Sequence, residues 1–302
     1  PPPPPPPPPS HAPATTEIYT GCRSSAASDV YKRQELGRFI ARAGRVAVVT
    51  GAGVSTASGI PDYRDRNGDW KHTRPVQYAD FVSRPEVRQR YWARSFAGWG
   101  RIANARPNPA HKALATLEAA GKVDTLITQN VDGLHHRAGS RRVIDLHGRL
   151  QTVRCMGCGK CICREQWQVQ LAAANPSWHS DTDYFAPDGD AKLQDEEVSD
   201  FMTPDCETCG GFVKPDVVFF GENVPKDRVA SAFEALDRSE ALLVVGSSLM
   251  VYSGYRFARR AAENGKPIAI VNRGRTRADD VATLKIDADC GAILDRVSKN
   301  GG

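Results

Sequence analysis

Short apolar runs and helical patterns alternate along most of this chain. The apolar runs predict buried strands at residues 46–49, 124–128, 142–146, 216–220, 241–245, 267–272 and 284–286. Apolar residues at helical spacing predict helices between them, at residues 35–43, 109–120, 226–237, 254–264 and from residue 291. Repeated strand–helix alternation is typical of a parallel sheet with helices on both faces, so the sequence predicts an α/β, Rossmann-like fold.

Two segments interrupt the alternation. Residues 65–106 are rich in Arg, Trp and Tyr and predict loops and short helices, whereas residues 149–215 hold two cysteine pairs around a long acidic segment. We expect these two insertions to form a smaller second domain. The larger domain then consists of residues 35–64, 107–148 and 216–302.

The N-terminal segment has a different composition. It starts with nine prolines, which favour an extended polyproline helix with no core to join, and the residues up to 34 show no useful periodicity. We expect residues 1–34 to be disordered and to lie outside the fold, and they need not belong to the natural protein.

Charge and hydropathy exclude some classes of partner. The net charge of the 302-residue chain is +5 and no run of like charges occurs, which does not indicate direct binding of nucleic acid. No apolar run approaches the length of a membrane span, so we expect no membrane partner. We expect a cytoplasmic protein, or one of the mitochondrial matrix if the source is eukaryotic.

The first predicted strand runs directly into glycines. Gly51 and Gly53 follow Val46–Val49, so the chain can turn sharply and bring backbone N–H groups close to an anion. A helix starting there would direct its positive end at a phosphate. The glycine spacing differs from G-x-G-x-x-G, however, and a tight strand-to-helix connection is an equally good interpretation of the turn alone.

The cysteines predict a metal site. Cys155 and Cys158, and again Cys206 and Cys209, have the pair spacing of a four-cysteine zinc ribbon, and each pair lies beside glycines. Two disulfides or four free thiols are the alternatives, and Cys161 forms a competing pair with Cys158. Four thiolates leave no open coordination position, so such a zinc is structural. The smaller domain would then combine this zinc ribbon with a helical module formed by residues 65–106.

Polar residues follow two further predicted strands. Thr128-Gln129-Asn130-Val131-Asp132 would lie at the carboxyl edge of the sheet, where open α/β sheets bind ligands, although a loop of turn-forming residues is the plain alternative. His147 follows another strand. Because His111, His135 and His136 are also present, the residues alone do not single it out as a catalytic group.

Several motifs resemble those of the sirtuin family and occur in the same order. They are GAGVSTASGIPDYR at 51–64, TQNVDGLH at 128–135, DLHG at 145–148, the two cysteine pairs and GSS at 246–248. The resemblance covers about residues 35–297. Other motifs most resemble the class II branch, which includes the mitochondrial sirtuin four: PEVRQRYWAR at 85–94, APDGD at 186–190, KPDVVFFGE at 214–222 and VYSGYRF at 251–257.

The resemblance implies an NAD-dependent protein lysine deacylase with NAD and one structural zinc ion. Nicotinamide leaves the ribose of NAD, the acyl-lysine oxygen traps the ribose carbon, and a base then activates a ribose hydroxyl, giving nicotinamide, free lysine and O-acyl-ADP-ribose. His147 would be that base, because imidazole titrates near neutral pH. Asn130 and Asp132 would orient the ribose and the carboxamide. The zinc ligands implied are Cys155, Cys158, Cys206 and Cys209.

The resemblance also implies which residues contact NAD. These are Gly51, Ala52, Gly53, Ala57, Ile60, Pro61, Asp62, Tyr63, Arg64, Gln129, Asn130, Asp132, Gly246, Ser247, Ser248, Asn272, Arg273 and Cys290.

Two features bear on the acyl-lysine substrate. Residues Val218, Phe219, Phe220 and Gly221 would present an exposed edge to which an extended acyl-lysine peptide adds as a strand, and a plain core strand is the alternative. Tyr91 and Arg94 are three residues apart on a predicted helix and share a face. In sirtuins that remove acidic acyl groups such a pair binds the acyl carboxylate, so we hypothesise a preference for longer or carboxylated chains. A solvated Arg beside a core Tyr is the competing interpretation.

Other functions use the same features differently. The same site could transfer ADP-ribose to a protein or to water, or act as a lipoamidase. A protein of another class would use the zinc ribbon for interactions or would sense NAD without catalysis. The acidic insert would repel phosphates, and Asn130, Asp132 and His147 speak against an inactive sensor.

Overall fold

The computed structural model of the chain describes residues 30–71, 75–179, 193 and 198–300. Most of the predicted tail, with Cys22, lies outside the described residues. The same holds for the acidic residues predicted to repel nucleic acid, which are Asp181, Asp183, Asp188, Asp190, Asp195, Glu196 and Glu197.

A six-stranded parallel sheet forms the larger part of the molecule. Its strands are β1 (Val46–Thr50), β2 (Val123–Thr128), β3 (Val143–Asp145), β7 (Ala241–Val245), β8 (Ile268–Val271) and β9 (Leu284–Ile286). Their order in the sheet is β3-β2-β1-β7-β8-β9, and every pairing between neighbours is parallel. The predicted α/β fold is confirmed.

Helices cover both faces of this sheet. They are α1 (residues 30–43), α4 (Pro109–Ala119), α5 (Leu134–Arg137), α7 (Lys226–Arg238), α8 (Tyr252–Glu263) and α9 (Cys290–Asn300). Alternate residues of β1 belong to different cores, Val46 and Val48 to one and Ala47 and Val49 to the other. This alternation buries both faces of the strand, as its continuous apolar sequence predicts.

The boundary predicted for the N-terminal tail needs a correction. Helix α1 begins at residue 30, so residues 30–34 are helical and the predicted limit at residue 34 falls inside a helix. Leu36 and Ile40 are buried on the sheet, whereas Val30 and Tyr31 are exposed. The rest of the helix was predicted from apolar residues at helical spacing that are buried, and the first turn has no such residues.

The turn after β1 also differs from expectation, because it starts no α-helix. Two short 3-10 helices, Ala52–Val54 and Thr56–Ser58, follow the strand. The amide of Gly53 donates to the carbonyl of Gly246 at 2.8 Å, so this backbone is bound to the neighbouring βα turn. The helix N-terminus predicted to face a phosphate is absent from this turn, and closely packed glycine backbone takes its place.

The two insertions build a smaller domain around a three-stranded antiparallel sheet. Its strands are β4 (Gly148–Cys155), β5 (Cys161–Cys163) and β6 (Val213–Val217), in the order β5-β4-β6, and its helices are α2 (Tyr78–Ser83), α3 (Pro85–Asn104) and α6 (Arg164–Ala174). Trp92, Trp167, Phe81 and Phe201 are fully buried in its core.

Two expectations for this region are wrong. Residues 65–106 contain the 20-residue helix α3 rather than short helices alone. The strand predicted at residues 216–220 is β6, Val213–Val217, and it pairs antiparallel with β4 instead of joining the parallel sheet. An apolar run shows that a strand is buried, but it does not show which sheet the strand joins. None of the helices in the described parts of the chain is long and apolar enough to cross a membrane.

Candidate active site

A cavity of about 680 Å³ opens at the carboxyl ends of β1, β2, β7 and β8, against the smaller domain. Its volume is in the range of sites that enclose a small ligand. The loops after β1, β2 and β7 and the segment after β6 all contribute to its walls. Parallel strands place these loops at one edge of the sheet, so residues far apart in the sequence meet there.

Glycines in the cavity wall let the turns after β1 and β7 pack closely together. A Cβ on Gly53 would lie 2.9 Å from the carbonyl oxygen of Gly246, and a Cβ on Gly51 would lie 2.8 Å from Oγ of Ser247. Gly246 has φ +59°, a left-handed conformation that favours glycine. The two βα turns therefore touch through backbone atoms, which suits the close approach of a dinucleotide.

Ser55 links the polar residues on one side of the cavity. Its hydroxyl donates to Oδ2 of Asp132 at 2.7 Å and accepts from the side-chain amide of Asn130 at 3.0 Å. Oδ1 of Asp132 accepts from the backbone amide of Leu134 at 2.8 Å. Burial raises the pKa of the Asp132 carboxyl, and the hydrogen bonds from Leu134 and Ser55 oppose that rise. The network fixes Asn130 and Asp132 in one arrangement.

His111 continues this network into the interior. Its Nδ1 accepts from the backbone amide of Asn108, so Nε2 carries the proton and donates to Oγ of Ser55 at 3.4 Å. Burial lowers the pKa of His111 to about 4, and the ring is neutral at pH 7. His135 lies beside it with 4.7 Å between ring centroids and the ring planes tilted by 57°, and burial lowers the pKa of His135 well below the ordinary value. Both histidines are structural partners of the site.

His147 lies on the cavity wall with both ring nitrogens bound. Nδ1 lies 2.9 Å from the carbonyl oxygen of Gln129, which can only accept, so Nδ1 carries the proton. Nε2 therefore has the free lone pair, and it accepts from the hydroxyl of Ser253 at 2.8 Å. Burial lowers the pKa of His147 to about 4 and the nearby Arg228 and Arg256 contribute, while the bond to Gln129 opposes the shift. The ring is a neutral base in the ligand-free protein.

The four predicted zinc ligands meet at one point. Their sulfur atoms lie within 4.8 Å of one another, with 3.4 Å between Cys155 and Cys209 and 3.8 Å between Cys158 and Cys206. A tetrahedral zinc with bonds of about 2.3 Å separates its sulfurs by about 3.8 Å, so the donor set fits the ion. The backbone amide of Cys158 donates to Sγ of Cys155 and lowers the pKa of that thiol. These residues form a zinc site, which joins β4 to the segment before β6.

The segment predicted to bind the peptide has a mixed character. Residues 218–221 line the cavity as a loop after β6 rather than as part of the strand. Phe219 is buried and packs on Phe81 and Tyr91, with ring centroids 4.9 and 5.2 Å apart, so it belongs to the core and is not exposed. The amide of Val218 donates to the carbonyl of His147 at 2.8 Å, which ties this loop to the histidine.

The structure separates the two members of the predicted acyl-carboxylate pair. Tyr91 is buried and lines the cavity. Arg94 does not lie among the described residues that line it, and its guanidinium instead reaches the carbonyl of Leu193 at 3.5 Å. The spacing of three places both residues on one side of α3, yet only Tyr91 belongs to the described cavity wall.

Most residues predicted to contact NAD line the cavity, and two do not. Ala57, which lies in the second 3-10 helix, and Pro61 are absent from its described walls. Sequence reasoning missed other wall residues, including Ser55, Thr56, Asp65, Arg66, Trp70, Lys71, Val76, Val131, Glu222, Leu249, Met250, Tyr252, Ser253, Arg256 and Asp289. Ser55 follows the glycine turn directly and could have been found by its position. Ser253 and Arg256 lie in the VYSGYRF segment that resembles the class II branch, but the sequence assigned them no chemical role.

Comparisons with known proteins agree on one family. The family model described as "Sir2 family" matches residues 51–253. The chain is 58% identical over 261 residues to the "NAD-dependent protein deacetylase 2" of Bradyrhizobium diazoefficiens, covering 86% of this chain and 96% of that protein. It is 50% identical over 269 residues to the "NAD-dependent protein lipoamidase sirtuin-4, mitochondrial" of Bos taurus, covering 88% and 85%.

Solved structures show the same fold. The structure described as "Sir2-p53 peptide-NAD+" aligns with a TM-score of 0.73 at 34% identity, covering 90% of this chain and 99% of that one. The structure described as "Sir2 bound to acetylated peptide" aligns with a TM-score of 0.71 at 33% identity, covering 90% and 99%.

Proposed function

The chain belongs to the Sir2 family of NAD-dependent protein lysine deacetylases, and from that premise we propose how its own residues divide the reaction. The observation that carries the proposal is one cavity in which the glycines of the turns after β1 and β7, the Asn130–Asp132 pair and a neutral His147 face the same space. NAD supplies an activated ribose carbon with nicotinamide as the leaving group. The protein would bind and orient NAD and the acyl-lysine, and it would exchange a proton with them.

The glycine turns would bind the pyrophosphate of NAD. Gly51, Gly53 and Gly246 offer backbone without side chains, and Ser247 adds a hydroxyl at the same place. Asn272, Arg273 and Cys290 line the cavity at the ends of β8 and β9, which suits the adenosine portion. Contacts to the pyrophosphate and to the adenosine portion would together account for the use of NAD.

Asn130 and Asp132 would orient the nicotinamide ribose and its carboxamide. An amide and a carboxylate offer the donors and acceptors that such neutral polar groups need. Their geometry is preset, because the Ser55 hydroxyl binds both side chains. A preset arrangement reduces the entropy lost when the cofactor binds.

His147 would act as the general base. Its Nδ1–H bond to Gln129 leaves Nε2 as the atom that accepts a proton, and the ring is neutral at pH 7. The imidazolium formed by proton transfer would keep its bond to the Gln129 carbonyl, which stabilises the positive charge. The bond to Gln129 therefore sets the tautomer and the ring orientation of the base before the transfer.

The substrate would be an acyl-lysine within an extended peptide. One aligned structure holds Sir2 with a p53 peptide, and another holds Sir2 bound to an acetylated peptide. In this chain the loop at residues 218–221 lines the cavity and connects by a backbone bond to His147. A peptide lying along this loop would place its lysine beside the base.

An uncharged acyl group fits the cavity better than a carboxylated one. Ile60, Val131 and Phe219 line it and pack in the hydrophobic core of the smaller domain, while Arg94 does not line it. A carboxylate packed against these three apolar side chains would lose part of its hydration. This apolar wall, together with the bovine relative named as a lipoamidase, favours long neutral acyl chains such as lipoyl as a second substrate class beside acetyl.

The test is mass spectrometry of reactions that contain NAD and acetyl-, octanoyl-, lipoyl- or glutaryl-lysine peptides of one sequence. We expect O-acyl-ADP-ribose from the neutral acyl peptides and none from a His147→Ala variant. An Arg94→Ala variant should keep the same order of preference. If the protein removes glutaryl groups efficiently and the Arg94→Ala variant does not, the apolar side chains Ile60, Val131 and Phe219 do not determine the acyl preference. Nicotinamide release without any free lysine would instead indicate ADP-ribosyl transfer or NAD hydrolysis.

A further inference from the structure

Ser253 contacts the one nitrogen of His147 that a base must use. The Ser253 hydroxyl donates to Nε2 at 2.8 Å, and the Gln129 carbonyl accepts from Nδ1–H at 2.9 Å. Both side chains line the cavity. The imidazole is therefore bound at both ends, and its tautomer and ring orientation are set before any ligand arrives.

The fold holds Ser253 in this position through close packing. Ser253 is the second residue of α8, and Gly254 follows it. A Cβ on Gly254 would overlap the side-chain amide of Gln129, so the start of this helix packs directly against the residue whose carbonyl binds Nδ1. The side-chain nitrogen of Gln129 also donates to Oγ of Ser247 at 2.8 Å, which fixes the Gln129 side chain. Gln129 thus binds Nδ1 of His147 through its carbonyl and packs through its side chain against the helix start that carries Ser253.

We propose that Ser253 is a positioning residue for the base of the deacylation reaction. Its hydroxyl holds His147 by Nε2 in the ligand-free protein and then yields that lone pair to the ribose hydroxyl. An imidazole nitrogen has one lone pair in the ring plane, so the two hydroxyls use it in turn. The serine can turn away by rotating about one bond, and the ring stays aligned through Gln129. The proposal rests on the role of His147 stated above.

The hydroxyl also affects the acidity of the ring. A donor to Nε2 stabilises the neutral imidazole, as burial and the charges of Arg228 and Arg256 do, whereas the Gln129 carbonyl stabilises the charged form. No carboxylate contributes to the shift of this ring among the described residues. Removing the serine hydroxyl should therefore raise the pKa of His147.

The experiment compares Ser253→Ala, Ser253→Thr and Ser231→Ala. Ser231 is an exposed serine of α7 outside the cavity and serves as the matched control. The first measurement is an NMR titration of labelled histidine in the NAD-free protein, with the His147 signal assigned from a His147→Gln spectrum. In Ser253→Ala we expect the pKa of His147 to rise by about 0.5–1 unit, as the loss of one hydrogen bond predicts. The Ser253→Thr variant, which keeps a hydroxyl, should restore the original value.

The second measurement separates the two halves of the reaction. Exchange of labelled nicotinamide into NAD reports the step before the base acts, and formation of free lysine reports the step that needs it. In Ser253→Ala we expect free-lysine formation to fall about tenfold, with nicotinamide exchange within about twofold of the unchanged protein. Ser253→Thr should recover most of the loss, and Ser231→Ala should match the unchanged protein.

Two results would overturn the inference. One is an unchanged pKa and tautomer of His147 in Ser253→Ala, and the other is a parallel fall of both reactions, which a general structural defect would cause. The His147→Gln variant distinguishes a failure of the base assignment from a failure of the role proposed for Ser253. If His147→Gln still forms free lysine at the normal rate, the assignment of the base fails. If His147→Gln is inactive while Ser253→Ala is normal in both measurements, the role of Ser253 alone fails.

Discussion

Single side chains in this site act through the hydrogen bonds that surround them. Asp132 is a buried carboxyl whose two oxygens are bound by Ser55 and by the amide of Leu134. His111 is neutral because it is buried, and it adds a donor to Ser55. The sequence identified Asp132 by resemblance, but it could not show that Ser55 and His111 hold it. That support depends on distances across three separate segments.

The buried histidines predict how stability depends on pH. The pKa of His111 is about 4 in the folded protein and about 6.5 in an unfolded chain, so the unfolded state binds more protons between these values. The free energy of unfolding should therefore decrease as pH falls from about 6.5 to 4. Urea unfolding at pH 7 and pH 5 should show that His111→Asn loses about 1–2 kcal/mol less than the unchanged protein over this interval. An equal pH dependence in both proteins would contradict this.

A single methyl group should disturb the glycine part of the cavity wall. In Gly53→Ala the new Cβ would meet the backbone of Gly246, which cannot move without shifting β7. We expect at least a tenfold rise of the KM for NAD and a loss of about 1–3 kcal/mol of stability. Gly100→Ala is the matched control, because its Cβ would meet nothing within 4 Å on α3. Similar kinetics in the two variants would show that this part of the wall has more room than the structure indicates.

At the scale of elements, the strands of the parallel sheet were predictable, whereas β4 and β5 were not predicted and β6 was assigned to the wrong sheet. Runs such as Ala241–Val245 are apolar throughout because both faces are covered, and the structure has this strand with the predicted bounds. β4 has an irregular burial pattern, and β5 is three residues long and mostly exposed. Their pairing is set by the cysteine cluster and by contacts with α6. Local periodicity carries no record of such long-range constraints.

The zinc cluster should support the whole smaller domain. It joins Cys155 at the end of β4 to Cys206, so removal of the metal should release the β4–β6 pairing. We expect Cys155→Ser to lose bound zinc and roughly 3 kcal/mol or more of stability. Cys163→Ser is the control, since Cys163 is exposed and lies outside the cluster. Metal analysis and thermal unfolding would measure both, and loss of zinc in the control would contradict the ligand assignment.

At the scale of the molecule, the site lies where the two domains meet. The α/β class, the interruption by two insertions and the cysteine cluster followed from the sequence and from its resemblance to a family. The apolar part of the cavity wall could not be predicted from the sequence, because Ile60, Val131 and Phe219 come from three segments that packing alone brings together. Arg94 shows the converse, since a spacing that matches a known pair does not fix where the guanidinium points.

The strand order has a consequence for the synthesis of the chain. β1 lies at the centre of the sheet between β2 and β7, and Val46 pairs with Ala241. The neighbouring bond from Arg45 to Glu240 spans 195 residues. At about 5–20 residues per second, a ribosome needs roughly 10–40 s to deliver β7 after β1. During that time one edge of β1, which is apolar from Val46 to Val49, lacks its partner, and we expect chains truncated before residue 241 to be less soluble than the full chain.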